Sequence, residues 1–592
     1  MKEKEMEKLI LKNALLNAIK YDGKANQGSI ISKLLGEMPE LKDNIKDVAK
    51  QVGMILKDVN KMTVEEQTAK LEEIAPGALD AANEKKEKKH DIFEFLGIKE
   101  GDKIVTSFPP GPEKYPHIGH GKACLINFAL AKKYNGKFIL RFEDTNPKTV
   151  RKKYYDMMLQ DLKWLGMEWD ELYYASDYMD MYYSKAEDLI KRDHAYVCTC
   201  DLEQIKQGRA KGTPCDCRLR NEAANLVLWK QMFILPPEGF EEGKAILRLR
   251  IDLTAQNSVM RDPTIFRIIE HEHARFGKKY RVWPSYDFQT SIIDGHFGVT
   301  HRIRSKEFEM RNELQRYIQY LLDYKETKIY EMARFNIEGV EASGRKIRAL
   351  IEEGKLVGWD DPCLTTLAAM RRRGFQPEAI RNFLFATGIT KHESLLSWDD
   401  VAVHNRRLLD PKCNRYFFIK DPVHITIKGA PEGEAHLHKH PDFKERGERK
   451  FETHEDFIIT PEDNAALKEG HLYRLMDCIN FEKFHNTAGH GEAFRFHSKT
   501  YAEYKNKGAK IMHWLPYDSE NKKKLVDVSI MMPDKTVIKG LAESGVTELK
   551  VDEIIQFERF GFCRLDEIKN AEGNAGSSGN TPKEYVFWFT HR

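Results

Sequence analysis

Five residues, Pro116-His-Ile-Gly-His120, constrain this chain more than any others. They fall where the pattern predicts a strand over 102–108, a proline-rich turn over 109–116 and a helix over 118–134. An open α/β sheet binds ligands at such a junction, beyond the carboxyl end of a strand and at the positive end of a helix. His117 and His120 are three apart on the first helical turn and share one side of it. Gly119 between them leaves the backbone open to close approach by a flat base or ribose. Two imidazoles so placed suit the charge that develops on an α-phosphate under attack. The junction therefore reads as a nucleotidyl-transfer site. A Gly-x-x-x-x-Gly-Lys-Ser/Thr loop is absent, because Gly121-Lys122 is followed by Ala123 and lacks the upstream glycine, so phosphate binding of the P-loop kind is excluded.

The 592 residues are enough for three to five domains of the usual size, about 100–200 residues each. A formal net charge of +3 permits a nucleic-acid partner without indicating one, so any basic surface must be local. No apolar run approaches the roughly 20 residues that cross a membrane. Met1-Lys-Glu-Lys-Glu5 reads as a charged helix start rather than a signal peptide. Nine cysteines, four of them clustered, fit a reducing, cytoplasmic compartment and a metal site better than a disulfide framework.

The expected architecture is multidomain. A helical N-terminal domain spans 1–90, with a helix over 7–18 carrying Leu9, Ile10, Leu15 and Leu16, and a solvated linker at Glu84-Lys-Lys-Glu-Lys-Lys89. An α/β Rossmann-like catalytic domain occupies 91–194 and 283–335. Its second strand covers 137–142, and the right-handed crossover implies a parallel sheet. Residues 195–282 read as an insert. A helix over 306–324 carries the stripe Leu314, Tyr317, Ile318, Leu321 and Leu322. Residues 336–410 read as a loop and helical connector, helical from 365 to 407. Short strand-like runs after Pro411, among them 416–419, 424–427, 457–459, 529–532 and 585–590, make 411–592 an all-β region of one or two barrels, with a flexible loop over 570–582.

Within the insert, Cys198-x-Cys200 and Cys215-x-Cys217 form two paired ligand sets fourteen residues apart. Zinc takes four thiolates in a tetrahedron, and two short turns can supply them. The other five cysteines are scattered, and core packing accounts for them.

From residue 102 onward the chain resembles the class I aminoacyl-tRNA synthetases, specifically the archaeal and eukaryotic type of glutamyl-tRNA synthetase. Four segments in order carry the resemblance: Pro116-His-Ile-Gly-His120, Leu140-Arg-Phe-Glu-Asp-Thr-Asn-Pro147, Gly358-Trp-Asp-Asp-Pro362 with Arg371-Arg-Arg-Gly374, and Phe557-Glu-Arg-Phe-Gly-Phe562. It implies activation of L-glutamate by ATP and Mg2+ to glutamyl-adenylate, then transfer to the 3′ end of tRNA(Glu). In archaeon-like cells tRNA(Gln) is commonly charged with glutamate as well. On this resemblance His117, Gly119 and His120 would meet ATP. Glu143 would hold the substrate ammonium, a pairing that a carboxylate suits. Tyr286 would contact the substrate, and Arg304 would read its side-chain carboxylate with a planar fork of donors. The insert would guide the tRNA acceptor end and the barrels would grip the anticodon. The Arg371-Arg-Arg373 run reads equally as a phosphate contact or as a solvated helix face. Neither an oligomeric state nor the purpose of the N-terminal domain follows.

Two departures stand out. Ser107 occupies the end of the first strand, where the family commonly has an arginine that reads the substrate side chain; Gly111 and Lys114 in the next turn also differ, the commoner residue at 114 being glycine. Lys114 could supply the missing cation. In the loop Glu341-Ala-Ser-Gly-Arg-Lys346, Gly344 stands at the usual position of a catalytic lysine, so Arg345 and Lys346 are expected to meet the β- and γ-phosphates, Lys346 foremost. Two alternatives stay open: a glutaminyl-tRNA synthetase, against which Glu143 and the cysteine insert weigh, and a catalytically silent tRNA-binding paralogue.

Overall fold

The computed structural model describes residues 3–20, 23–37, 45–78, 91–341, 343–484, 493–518, 524–570 and 583–592. The expected linker at 84–89 and the loop over 571–582 lie outside them. The chain divides into two compact units, Met1–Ile98 and Lys99–Arg592. The first holds helices Glu3–Lys20, Gln27–Glu37, Ile45–Val59 and Val64–Ile74, packed around Ile10, Leu15, Leu34, Val52 and Leu71. Thr63 starts the last of them with a reciprocal cap. Its hydroxyl accepts the Glu66 N–H while the Glu66 carboxylate accepts the Thr63 N–H at 2.8 Å.

The second unit is built on a five-stranded parallel sheet. Its strands are β1 (Val105–Phe108), β2 (Lys137–Phe142), β3 (Glu171–Tyr174), β8 (His301–Ser305) and β9 (Lys328–Met332), in the order β3-β2-β1-β8-β9. Strand β1 starts later than the expected 102, because the Asp102 carboxylate accepts the Lys99 N–H at 3.0 Å and turns the chain there. The helix Ile118–Lys133 docks on the sheet through buried Asn127. Its amide donates to the Ile303 carbonyl at 2.7 Å and accepts the Ile303 N–H at 3.0 Å, so the helix is tied to β8. Between β3 and β8 lies a separate antiparallel sheet of β4 (Ala195–Cys198), β5 (Ile246–Leu249), β6 (Thr264–Ile268) and β7 (Val282–Pro284).

Two helical expectations need correcting. In the expected helix over 306–324, Lys306–Arg311 is a 3-10 turn and the α-helix begins at Asn312. Arg304 donates to the Phe308 carbonyl at 3.2 Å, and the Asn312 N–H closes on Glu309 instead. Residues 365–407 are three helices, Leu367–Arg373, Pro377–Ala386 and Trp398–Leu409, broken at Gly374 and Gly388, which take φ of +96° and +61°. Ser394–Leu396 forms a short strand parallel to Phe335–Ile337 between the last two. The three arginines are no solvated face. Arg371 pairs with Asp161, Arg372 with Asp360 and Asp566, and buried Arg373 donates to the Pro362 and Thr590 carbonyls. Arg372 and Arg373 fasten the connector to the final sheet, and Arg371 fastens it to the helix Lys152–Trp164 of the catalytic domain.

Beyond residue 411 the described residues form two seven-stranded sheets and a hairpin of Gly433–His438 with Glu448–Thr453. The expected run over 416–419 divides at Phe417 into Arg415–Tyr416 and Phe418–Lys420. These two pieces sit on opposite edges of one sheet, so a one-residue link requires that sheet to curl until its edges meet. Among the described residues no helix is long and apolar enough to cross a membrane.

His513 gives this region an acid-sensitive joint. Its Nδ1 accepts from Arg559 at 3.1 Å and its Nε2–H donates to the Phe418 carbonyl at 3.0 Å, so a second proton has no acceptor. Burial, followed by the Arg559 charge, lowers its pKa to about 4. The unfolded chain then binds the proton first, and stability is lost as pH falls from about 6.5 toward 4, by up to about 3 kcal/mol for this group. His513→Gln keeps a donor at the same place and does not titrate. Thermal melts from pH 7 to 4 should show a shallower fall than wild type; an unchanged slope would refute the assignment.

Candidate active site

The strand-turn-helix junction opens into a cleft of about 860 Å³, within the range of small-molecule sites. Pro116 and Ile118 are fixed from behind. The Ile118 N–H donates to the Thr365 carbonyl and the Leu367 N–H to the Pro116 carbonyl, both at 2.9 Å. His117 caps the helix: its Nδ1 accepts the Gly119 N–H at 3.1 Å, while the Nδ1 of His120 accepts the His117 N–H at 3.2 Å. With both Nδ1 atoms accepting, each neutral ring carries its proton on Nε2. Burial, reinforced by the Lys114 and Arg334 charges, lowers the His117 pKa to about 3, and His120 is held well below its ordinary value by burial and by His117. The pair is two neutral donors rather than two cations.

Gly119 has a nearer reason than an approaching base. A Cβ there would lie 2.9 Å from His117 Cε1, so the space above Gly119 holds the His117 ring itself.

Glu143, just after β2, lines the same cleft. Its Oε1 accepts from Arg141 at 2.5 Å and from Thr290 at 3.1 Å, and its buried Oε2 has no partner. Burial raises its pKa against the pull of Arg141. An ammonium reaching Oε2 would relieve both conditions. Asp144 is structural: it accepts from the Ser176 amide at 2.8 Å, the Ser176 hydroxyl at 2.7 Å and Tyr155 at 2.8 Å.

Tyr286 starts the helix Tyr286–His296, and its hydroxyl meets Arg304 of β8 at 3.4 Å. Arg304 is held by Phe308 and Asn312, and burial followed by the Arg302 charge lowers its pKa to about 10. A carboxylate would restore what this guanidinium lacks.

The structure thus brings His117, His120, Glu143, Tyr286 and Arg304 into one cleft. It does not bring Arg345 and Lys346 there. Both lie on the first turn of the helix Gly344–Glu352, and Lys346 is 71% exposed and paired with Glu341. Ser107 is wholly buried in β1 with no partner for its hydroxyl, and the cleft wall begins at Phe108. Sequence reasoning missed Arg141, which braces Glu143 and also bonds Asp294 at 2.7 Å. Period-two alternation puts Arg141 and Glu143 on one face of β2, and that was the available signal. It also missed Lys122 and Arg267, which line the cleft and whose side chains make neither an ion pair nor a hydrogen bond with any described residue, the Lys122 ammonium lying over the Phe335 ring.

Away from the cleft, the Sγ atoms of Cys198, Cys200, Cys215 and Cys217 all lie within 4.8 Å of one another, with Cys198–Cys215 at 3.9 Å and Cys200–Cys217 at 3.8 Å. A tetrahedron with Zn–S of about 2.3 Å has edges of roughly 3.8 Å, so the quartet is compatible with zinc. The Thr199 hydroxyl at 3.5 Å from Cys217 and the Arg248 guanidinium at 3.9 Å from Cys198 would temper thiolate charge.

The chain is similar to proteins of known family. Residues 103–411 match the catalytic domain of "tRNA synthetases class I (E and Q)", and 413–497 and 511–566 match the anti-codon binding domain of the same group. A glutamate–tRNA ligase of Pyrococcus furiosus is 42% identical over 96% of this chain and 98% of its own length. One from Thermococcus kodakarensis is 40% identical over 99% of this chain and 100% of its own. A solved glutamate tRNA ligase from Elizabethkingia meningosepticum covers 53% of this chain and 71% of its own at 18% identity, with a TM-score of 0.40, too slight a likeness to carry an argument.

Proposed function

The chain belongs to the class I tRNA synthetases of the glutamate and glutamine group, and on that premise we propose that it is a glutamate–tRNA ligase. The observation that carries the choice of glutamate is Arg304, a buried guanidinium beside Tyr286 in the cleft, with no carboxylate paired to it among the described residues. A side-chain carboxylate suits that group better than an amide. In this reading Glu143 Oε2 takes the α-ammonium, so both ends of the amino acid are fixed and its α-carboxylate faces the histidines. One carboxylate oxygen attacks the α-phosphorus of ATP. The bond to the β-phosphate oxygen breaks, and its electron pair leaves with pyrophosphate. The Nε2–H groups of His117 and His120 donate to the α-phosphate oxygens as charge gathers there. A hydroxyl at the tRNA 3′ end then attacks the carbonyl carbon of the mixed anhydride; the bond from that carbon to the phosphate oxygen breaks, and AMP leaves with the electron pair and takes up the hydroxyl proton. The regions at 413–497 and 511–566 supply the anticodon grip that the group implies.

Magnesium is read as arriving on the nucleotide, because the cleft carboxylates Glu113 and Glu307 are engaged by Thr149 and Arg334. Zinc, held by Cys198, Cys200, Cys215 and Cys217, would supply a rigid cross-link in the insert that guides the acceptor end.

The test is charging of purified tRNA(Glu) and tRNA(Gln) with labelled glutamate or glutamine, with ATP and magnesium. Glutamate on tRNA(Glu) is expected, and glutamate on tRNA(Gln) as well would make the enzyme non-discriminating. Glutamine transfer would assign the chain to the other half of the group. Binding of tRNA without any transfer would make it a silent paralogue.

A further inference from the structure

We propose that Lys114 is the cation that holds the β- and γ-phosphates of ATP and the departing pyrophosphate in this chain, delivered from the turn after β1 and not from the loop before the helix Gly344–Glu352. The inference rests on the reading of the cleft as an ATP site.

Three observations meet at this lysine. First, Lys114 lines the cleft beside His117 and His120, and its ammonium makes no ion pair or hydrogen bond with any described residue. Its charge lowers the pKa of both histidines, which places it within electrostatic reach of the atoms assigned to the α-phosphate. Burial and the Arg334 charge in turn lower its own pKa, so an arriving polyanion would relieve it.

Second, Lys114 fills the volume that a side chain at position 344 would need. A Cβ on Gly344 would lie 2.7 Å from Lys114 Cδ and 3.6 Å from its Cβ. The glycine is therefore the counterpart of the lysine. The two positions divide one volume: 114 carries the ammonium, and 344 is bare.

Third, the neighbouring cations on the 341–346 segment point elsewhere. Lys346 is paired with Glu341 at 3.3 Å on an exposed helical turn, and neither it nor Arg345 lines the cleft. The placement of Lys114 also weighs against its competing role. The Lys114 stem runs against Gly344, beside His117, whereas a substitute for the arginine absent at 107 would have to meet the substrate side chain near Arg304.

Binding of inorganic pyrophosphate and of AMP to the full chain, by titration calorimetry with magnesium, tests the assignment directly. Lys114→Met keeps the stem and removes the charge. It should weaken pyrophosphate binding about 30-fold or more and leave AMP binding within about threefold. The loss should exceed that of Lys346→Met by tenfold, and Lys114→Arg should recover most of it. The exchange variant Lys114→Gly with Gly344→Lys should also recover binding, because it returns the ammonium to the same space from the other side; thermal melts check that each variant folds. A larger loss in Lys346→Met would overturn the proposal. So would unchanged pyrophosphate binding in Lys114→Met with a raised KM for glutamate, or no pyrophosphate binding by wild type. Lys114-dependent pyrophosphate binding without tRNA charging would leave this inference standing and remove the proposed reaction. Normal charging with Lys114-independent pyrophosphate binding would do the reverse.

Discussion

His120→Asn should lower glutamate-dependent exchange of pyrophosphate into ATP, measured with tRNA present, by about 10²–10³-fold, the usual effect of removing one donor aimed at developing charge. The substitution is chosen for its geometry. The amide oxygen of asparagine stands where Nδ1 stands in histidine, so it can still accept the His117 N–H that His120 accepts at 3.2 Å. The helix start is kept and the Nε2–H is lost. KM for glutamate should change little, because Glu143 and Arg304 carry that contact in the proposed reaction, and the loss should fall on kcat. The pH profile adds a second check. Burial keeps His117 neutral down to about pH 3 and His120 neutral as well. Wild-type exchange should therefore show no imidazole limb between pH 5.5 and 8, the range in which an ordinary histidine titrates. An activity loss below tenfold, or a limb near pH 6.5 that vanishes in the variant, would defeat the neutral-donor assignment.

Cys217→Ser should abolish stoichiometric zinc binding and unfold the ligand-bearing part of the insert, residues 195–220. Wild-type protein is expected to carry one zinc per chain by atomic emission, with all four Sγ atoms already within 4.8 Å of one another. A structural zinc contributes on the order of 10–16 kcal/mol, comparable to or larger than the whole stability of a typical domain, about 5–15 kcal/mol. Apolar burial adds little around the ligands, since the helix Leu202–Lys211 buries none of its residues; the pairing of β4 with β5 and the Arg218–Asp262 ion pair hold the flanks. Hydrogen exchange should rise across 195–220 in the variant, while the buried core around Trp229, Phe266 and Trp283 stays protected longer. Charging should fall with it, since the insert is assigned the acceptor end. Wild-type protein free of zinc with full protection across 195–220 would show the quartet to be four packed thiols.

How much of this was legible in the sequence depends on the range of the forces involved. The junction at 105–120 could be read because alternation, a proline turn and helix periodicity are local. The cysteine quartet could be read because ligand spacing is short. Strand β2 came out at the residues expected, 137–142, with nothing but its own side chains to define it. Resemblance supplied Glu143, Tyr286 and Arg304, three positions far apart in the chain. No spacing rule would have joined them.

What the sequence determined by itself is the kind of molecule: a parallel α/β core with a histidine-bearing nucleotide junction, a thiolate insert, a helical connector and a β-rich end. Each rests on periodicity or spacing within about twenty residues. The tertiary structure alone decided the ownership of charge and space. Arg304 held the Phe308 carbonyl and turned the start of an expected helix into a 3-10 turn. Arg371, Arg372 and Arg373, equally readable as a phosphate contact, became ties, the first to the catalytic domain and the other two to the barrel. Lys114 and Gly344, 230 positions apart, proved to compete for one volume. Burial, pairing and steric exclusion are properties of neighbours in space, and a sequence names neighbours only along the chain.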